Sequence, residues 1–322
     1  MTRRLLPVAA GLAVLVLGGL AWLLVPWFTA ADVERDTAFI VPEGATLTSA
    51  AAKLEQEGLI GSADGFLLRA KLLGGGGHIQ AGEFSLPAGA SPSRILDIFQ
   101  SGEVVRRFVT VPEGMPSILV HERLMAEPLL TGQVVVPAEG SVLPDTYSFE
   151  RGETRQAVLA RMQVAMKEAL AEEWAKRGSR SVVKTPQEAV ILASVVEKET
   201  GKASERPMVA GALSNRLRTG MRLDADATTI YPITKGKPLG RMIRVSELRD
   251  PNPYNTRAIG GLPTGPITNP GRDAIRAVLN PAETDAVFYV ADGTGGHVFA
   301  RTLAEHNANV AKWRQIRREK GI

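Results

Sequence analysis

The strongest pattern along the chain is an unbroken apolar run, "LLPVAAGLAVLVLGGLAWLLVPWFTAA", over 5–31, in which no position carries a charge. About 20 apolar residues suffice to cross a bilayer as a helix, so the run predicts a transmembrane helix with room for some tilt. It exceeds the roughly 7 to 15 apolar residues of a cleaved export signal. Beyond it the pattern turns amphipathic. "FIVPEG" predicts a strand and turn, and "TLTSAAAKLEQEGLI" sets Leu47, Ala51, Leu54 and Leu59 near one helical face. "SADGFLLRAKLLGGGG" predicts a second helix opened by Ser62 or Asp64 and closed by a flexible glycine loop, and "HIQAGEFSL" a returning strand. These form a strand-helix-helix-strand module, bounded at 36–105, that takes in a short helix with Ser91 as cap and Pro92 at its first position.

The remaining chain, 106–322, reads as a mixed α+β domain. "VVRRFVTV" predicts a strand, and "VPEG" at 41–44 recurs at 111–114 after an apolar strand each time, a weak internal repetition. From Glu139 the text is turn-rich, "EGSVLPDTYSFERGET", followed by a long helix over 154–176. "TPQEAVILASVVEKET" carries the clearest helix start, with Thr185 as cap, Pro186 at the first helical position and Glu188 completing a capping box. Then come a helix through "ERPMVAGALSNRLRTGM", a Gly/Pro/Asn-rich stretch over 250–271, the helix "GRDAIRAVLNP", a strand through "AVFYVADGTGGHVF" and a basic terminal helix. Long irregular loops in a compact domain are usually functional or disordered, and the aromatic, Asn and Thr groups here favour a binding cleft. The predicted fold class is α+β: a tail over 1–4, a transmembrane helix, a small module and a larger domain.

Charge and composition narrow the partners. The 322 residues hold 38 Lys+Arg against 34 Asp+Glu, a net charge of +4 that suits an anionic surface. No basic stripe interleaved with aromatics is present, so nucleic acid is not a predicted partner. With no cysteine, disulfides, thiolate metal sites and cysteine nucleophiles are excluded. The paired Arg3 and Arg4 precede the apolar run, and Trp22 and Trp27 lie toward its far end, where interfacial rings belong. By the positive-inside rule the chain after Asp32 lies outside the cytoplasm.

Candidate chemistry centres on "ILASVVEKET". At about 100° per residue, Leu192, Val195, Val196 and Glu199 share one helical face, and Glu197 projects nearly opposite, beside Val190, Ala193 and Ser194. An apolar face desolvates Glu199 and raises its pKa toward the range of a general acid, whereas Glu197 reads as a surface or pairing residue. A random glutamate at a helix end usually pairs or caps; here Thr200 follows with a hydroxyl able to orient the acid. Three clusters join it. Asn215 and Arg216 lie on a helix, and Asp224 and Asp226 in a turn whose text does not continue as a calcium loop, which favours turn stabilisation over a metal pair. Tyr254, Asn255 and Thr256 can hydrogen-bond a polar ligand while the ring stacks on it. His297 and His306 lack metal-ligand spacing, and His78 and His121 are remote in sequence.

The texts "EGSVLPDTYSF", "ILASVVEKET", "SNRLRTGMRLDADATTIY", "PYNTRAIGGLPTGPITNPG" and "FYVADGTGGHVFARTLAEHN", in that order, resemble the MltG (YceG-like) family of endolytic murein transglycosylases. The membrane helix and a module that looks LysM-like fit the same family. The resemblance implies cleavage of MurNAc-GlcNAc bonds within peptidoglycan glycan strands to give 1,6-anhydroMurNAc ends, without cofactor or metal, by a protein anchored in the bacterial inner membrane with its catalytic domain outside the cytoplasm. Cell-wall synthases are the implied protein partners. In lytic transglycosylases the catalytic glutamate is typically followed by serine, so Glu199-Thr200 selects Glu199 over Glu197. Asn215, Tyr254, Asn255 and Thr256, with Thr200, are then the expected substrate contacts. "SVLPDTY" departs from the family's more usual "FPDTY". Two other readings stay open: a muramidase using water, with Asp145, Asp224 or Asp226 as a second acid, and a non-enzymatic glycan-binding scaffold.

Overall fold

The computed structural model describes residues 5–74 and 77–321. The tail over 1–4, with its paired arginines, and Gly75 and Gly76 of the glycine run lie outside the described residues. The chain divides into two compact units, Met1–Arg107 and Phe108–Ile322.

In the first unit, helix α1 (Leu5–Phe28) precedes β1 (Thr37–Val41), α2 (Leu47–Gln56), α3 (Ala63–Leu73), β2 (Gly82–Leu86) and α4 (Pro92–Ser101). β1 and β2 pair antiparallel with Thr37 opposite Leu86 and Val41 opposite Gly82. Thr46, Ser62 and Ser91 each cap a helix by accepting a backbone N–H three residues on, and α4 stops at Gly102, whose φ of 72° suits a residue without a side chain. Strand alternation turns Phe39 inward, where it meets Phe99 at 5.3 Å, and Phe99 meets Phe84 at 5.2 Å. Burying rings of this size contributes roughly 1.5–3 kcal/mol each. Trp27 does not sit with the interfacial rings. It is 1% exposed in this core, 5.6 Å from Phe66, while Trp22 remains 61% and 46% of Leu20 is exposed. Arg69 of α3 donates from Nε to the Leu23 carbonyl (3.1 Å) and from a terminal nitrogen to that of Trp22 (2.9 Å).

The second unit takes up β3 (Arg106–Thr110), most of which it holds, and continues with α5 (Ser117–Ala126), β4 (Thr146–Glu150), α6 (Arg155–Ala175), α7 (Pro186–Glu199) and a 3-10 turn over Ala203–Glu205. After these come α8 (Arg206–Arg218), α9 (Asp226–Thr234), α10 (Val245–Arg249), α11 (Arg272–Leu279), β5 (Phe288–Ala291), β6 (His297–Ala300) and α12 (Leu303–Lys320). The strands form two-stranded ribbons, β3 with β4 and β5 with β6, so the fold is mixed α+β with helices supplying most of the core. The turn repeated as "VPEG" recurs in structure: Ala45 N–H reaches Pro42 O and Met115 N–H reaches Pro112 O.

Three features depart from the hydrophobic pattern. The stretch expected as one strand is the β5–β6 hairpin, because Asp292 Oδ1 accepts from Thr294 N and Gly296 N and folds the chain back. Helix α9 arises in text read as a turn, opening directly at Asp226, and α10 in text to which no element was assigned. Helix α7 is not one-faced: residues 189–196 are buried all round, since α6, α8, α9 and α11 surround it. Thr185 caps it as expected, but Glu188 returns its carboxylate to Lys184 N at 2.6 Å in place of the cap residue.

Candidate active site

The buried stem of α7 delivers two acids at its last turn, and the fold gives them different surroundings. Both oxygens of Glu197 are taken by protein: Arg206 donates to one at 2.8 Å and Gly271 N to the other at 2.8 Å, and its side chain is 4% exposed. Arg206 also bonds Glu113, so Glu197 is a buried pairing residue and not a surface one. Burial pushes its pKa up, against the pull of the Gly271 N–H and Arg206. Contrary to the helical-face argument, desolvation therefore does not by itself distinguish the two acids.

Access does. Glu199 lines an open cleft of about 370 Å³ together with Arg216, Asp224, Asp226, Arg257, Phe288, Tyr289 and His306, and Glu197 does not. The Tyr289 hydroxyl donates to Glu199 Oε2 at 2.8 Å. Burial raises the Glu199 pKa; the Tyr289 bond and the charges of His297 and Arg216 pull it down, and Asp226 pushes it up, leaving it above the ordinary carboxyl value. The Tyr289 hydroxyl is itself pushed well above its usual range by burial and by Glu199, so it stays a donor.

The walls are built from polar groups with fixed partners. Arg216, itself nearly buried, donates to the carbonyls of Val287 (2.5 Å) and Leu223 (2.9 Å), and reaches Asp224 at 3.4 Å. It also lies over the Phe288 ring at 5.6 Å. Asp224 takes a left-handed backbone with φ 53°, a conformation Asp tolerates better than most residues, and Asp226 is paired with Arg257. Phe288 stacks on His306 at 5.1 Å; burial first, then Arg216, lower the His306 pKa.

The expected substrate contacts fall behind this wall. Thr200 is 3% exposed; its hydroxyl accepts from Lys202 N at 3.1 Å and faces Glu205 Oε2 at 3.5 Å, so it does not orient Glu199 directly. Glu205 in turn holds His297 Nδ1 at 2.8 Å, and the His297 ring meets Tyr289 edge-on at 5.5 Å. Asn215 donates to the carbonyls of Thr284 and Ala286 and accepts from Arg218, tying α8 to the segment before β5. Asn255 joins Thr229 to the carbonyls of Glu247, Leu248 and Asp250. Thr256 bonds Thr228 at 2.8 Å and both the Ala225 and Asp224 amides, and Tyr254 packs on Tyr231 at 4.9 Å. Thr256 and Asn255 thus fix the backbone that carries Arg257 and the 224–226 turn, and neither they nor Asn215 and Tyr254 line the cleft. The cleft's own Tyr289, Phe288 and Arg257 went unread in sequence. The aromatic pair in "AVFYVADG" was the available signal, but nothing in linear text brings Tyr289 to an acid 90 residues away.

The sequence model of the YceG-like family matches residues 39–312. An endolytic murein transglycosylase of Bacillus subtilis is 26% identical over 89% of this chain and 89% of its own length. One from Streptococcus pneumoniae is 29% identical over 84% of this chain and 57% of its own length. A crystal structure of a yceG-like protein from Listeria monocytogenes, 24% identical, superposes with a TM-score of 0.54 over 85% of this chain and 98% of that one, and so shares the fold.

Proposed function

Since this chain belongs to the YceG-like family, we propose that it is an endolytic murein transglycosylase, as its relatives are named, with Glu199 as its acid and base. The observation that carries this reading is a desolvated carboxyl group, its pKa raised, facing an open cleft and held by a single tyrosine. Protonated Glu199 gives its proton to the glycosidic oxygen between MurNAc and GlcNAc as the C1–O bond breaks. The muramic C6 hydroxyl attacks C1, and the Glu199 carboxylate takes that hydroxyl's proton, leaving a 1,6-anhydro end. Because the nucleophile belongs to the substrate, one carboxyl group serves both steps, where an ordinary glycosidase needs two.

Glu199→Gln keeps the shape and removes the proton. Release of anhydromuropeptides from purified sacculi, followed by mass spectrometry, should fall by about 10²–10⁴-fold or more. Undiminished release would refute the assignment. The muramidase reading has one observation on its side, that Asp224 and Asp226 line the same cleft. Each is engaged by arginine, Asp226 with Arg257 and Asp224 with Arg216 and Arg222, which supports a wall function over activation of water. Reducing ends in place of anhydro ends would establish it, and binding without turnover would establish the scaffold reading.

The same reading has α1 anchor the protein in the inner membrane, with both units beyond it outside the cytoplasm. Supporting it are 24 helical residues of apolar text whose side chains are largely exposed in the described part, and Trp27 built into the module core, which a cleaved signal would not be. The module acts as a LysM-like glycan holder, and cell-wall synthases are the partners that a shared membrane and substrate bring within reach.

A further inference from the structure

The first unit carries an apolar surface that its own core does not use. Helix α3 turns Phe66 and Ala70 inward, whereas Leu68 and Leu72, four residues apart and so on one face, are 41% and 59% exposed. Lys71 is exposed beside them. On an ordinary soluble module such a pair would be unremarkable, but α3 is fastened to the end of α1. Arg69, between the two leucines in sequence, donates to the carbonyls of Leu23 and Trp22 and lies over the Trp22 ring at 5.0 Å. Phe66 packs on Trp27, one turn further along α1. The two helices therefore overlap over the last turns of α1.

That overlap sets the height of α3. Twenty residues of helix span about 30 Å, the thickness of the hydrocarbon layer, so a span begun at Leu5 ends near Leu24. Trp22 is then at the outer boundary, where an exposed indole is favoured. Val25 and Phe28, past it, are still 55% and 63% exposed, so the apolar surface of α1 carries on from that boundary into the headgroup layer. A helix clamped to Trp22 and Leu23 is at the same depth. Its outward leucines meet the boundary between chains and headgroups, and the exposed Lys71 is placed to reach lipid phosphates, as basic residues flanking interfacial helices do.

We propose that the exposed face of α3, formed by Leu68 and Leu72 with Lys71, is seated in the headgroup region of the membrane that α1 crosses. The module then rests on the bilayer as a second, interfacial contact. This rests on α1 being a membrane anchor, and the experiment separates the two. The chain has no cysteine, so Leu72→Cys and Val14→Cys each give one labelling site for a bimane fluorophore in the full chain. Each labelled protein is reconstituted in phosphatidylethanolamine–phosphatidylglycerol vesicles whose lipids are brominated either high on the chain or near its end. The label at 72 should lose emission to high bromines and keep it with deep ones, while the label at 14 loses more to the deep ones. No quenching at 72 alongside deep quenching at 14 would overturn the seating of α3 and leave the anchor standing. No quenching at either site would overturn both. Leu68→Cys, reading the neighbouring position, should repeat the result at 72; quenching at 72 without quenching at 68 would also overturn the proposed face.

Discussion

At Glu199 two opposed influences meet on one carboxyl group. Burial favours the neutral acid, and the proton offered by Tyr289 favours the carboxylate. Removing the hydroxyl should therefore move the balance in a known direction. In Tyr289→Phe the Glu199 pKa rises further. Since the first step needs the protonated acid, activity falls as pH climbs through that pKa, and the alkaline limb of the kcat/KM profile should shift upward in the variant. A profile lowered uniformly with an unmoved limb would assign Tyr289 to packing alone. The two acids of α7 also show what sequence could and could not resolve. Its pattern correctly marked the end of that helix as a place where carboxylates meet apolar surroundings. It could not see that Arg206 and Gly271 N would occupy Glu197, because those partners come from other elements.

Helices and strands were legible where local chemistry fixes them. The caps read at Ser62, Ser91 and Thr185 are short-range hydrogen bonds, and all three form. The opening of α9 was not legible, because Ala225 makes no side-chain cap and the helix is instead supported by Thr228 and Thr256, 28 residues apart in sequence. For the same reason Asn215, Asn255 and Thr256 looked like ligand contacts. Polar side chains in loop-rich text serve ligands or buried backbone equally well, and here the visible partners are backbone and neighbouring hydroxyls. Among the contacts between elements, Glu173 of α6 is 1% exposed and accepts from Arg272 (2.7 Å) and Arg276 (3.1 Å) of α11. Its bond to Arg276 leads the effects that hold its pKa below the ordinary value, against burial. A depressed carboxyl contributes stability above its unfolded pKa and loses it as pH falls through the folded one. Glu173→Gln should cost about 2 kcal/mol in urea unfolding at neutral pH, because the arginines are partly exposed and screen the loss. The gap to the unaltered protein should narrow in acid; a constant gap would mean the pair acts through shape only.

Over the whole molecule, an apolar amino-terminal helix followed by a mixed α+β chain was readable because composition and period change where the apolar run ends. What composition could not express is that the apolar helix does not end where the packed core begins. Trp27 belongs by sequence to α1 and by packing to the core of the first unit. Beyond the helix, Ala31 N–H meets Ala90 O, Gly89 N–H meets Val33 O and Asp36 accepts from Ala88 N, so the connecting residues are pinned as well.

A joint of this kind behaves as a keyed shaft. One residue added to a helix turns everything on one side of it by about 100° and advances it 1.5 Å. An alanine inserted after Leu24 would leave the Arg69 clamp or the Trp27 plug in register, never both. The same insertion after Leu12 leaves both intact and only lengthens the exposed part of α1. The first variant gives up the less costly of the two, the charge-assisted bonds of Arg69, and should lose about 1.5–3 kcal/mol, read as a lowered midpoint for protease susceptibility of the first unit against denaturant, and the second should not. Equal midpoints would mean that α1 is free to turn against the core of the first unit.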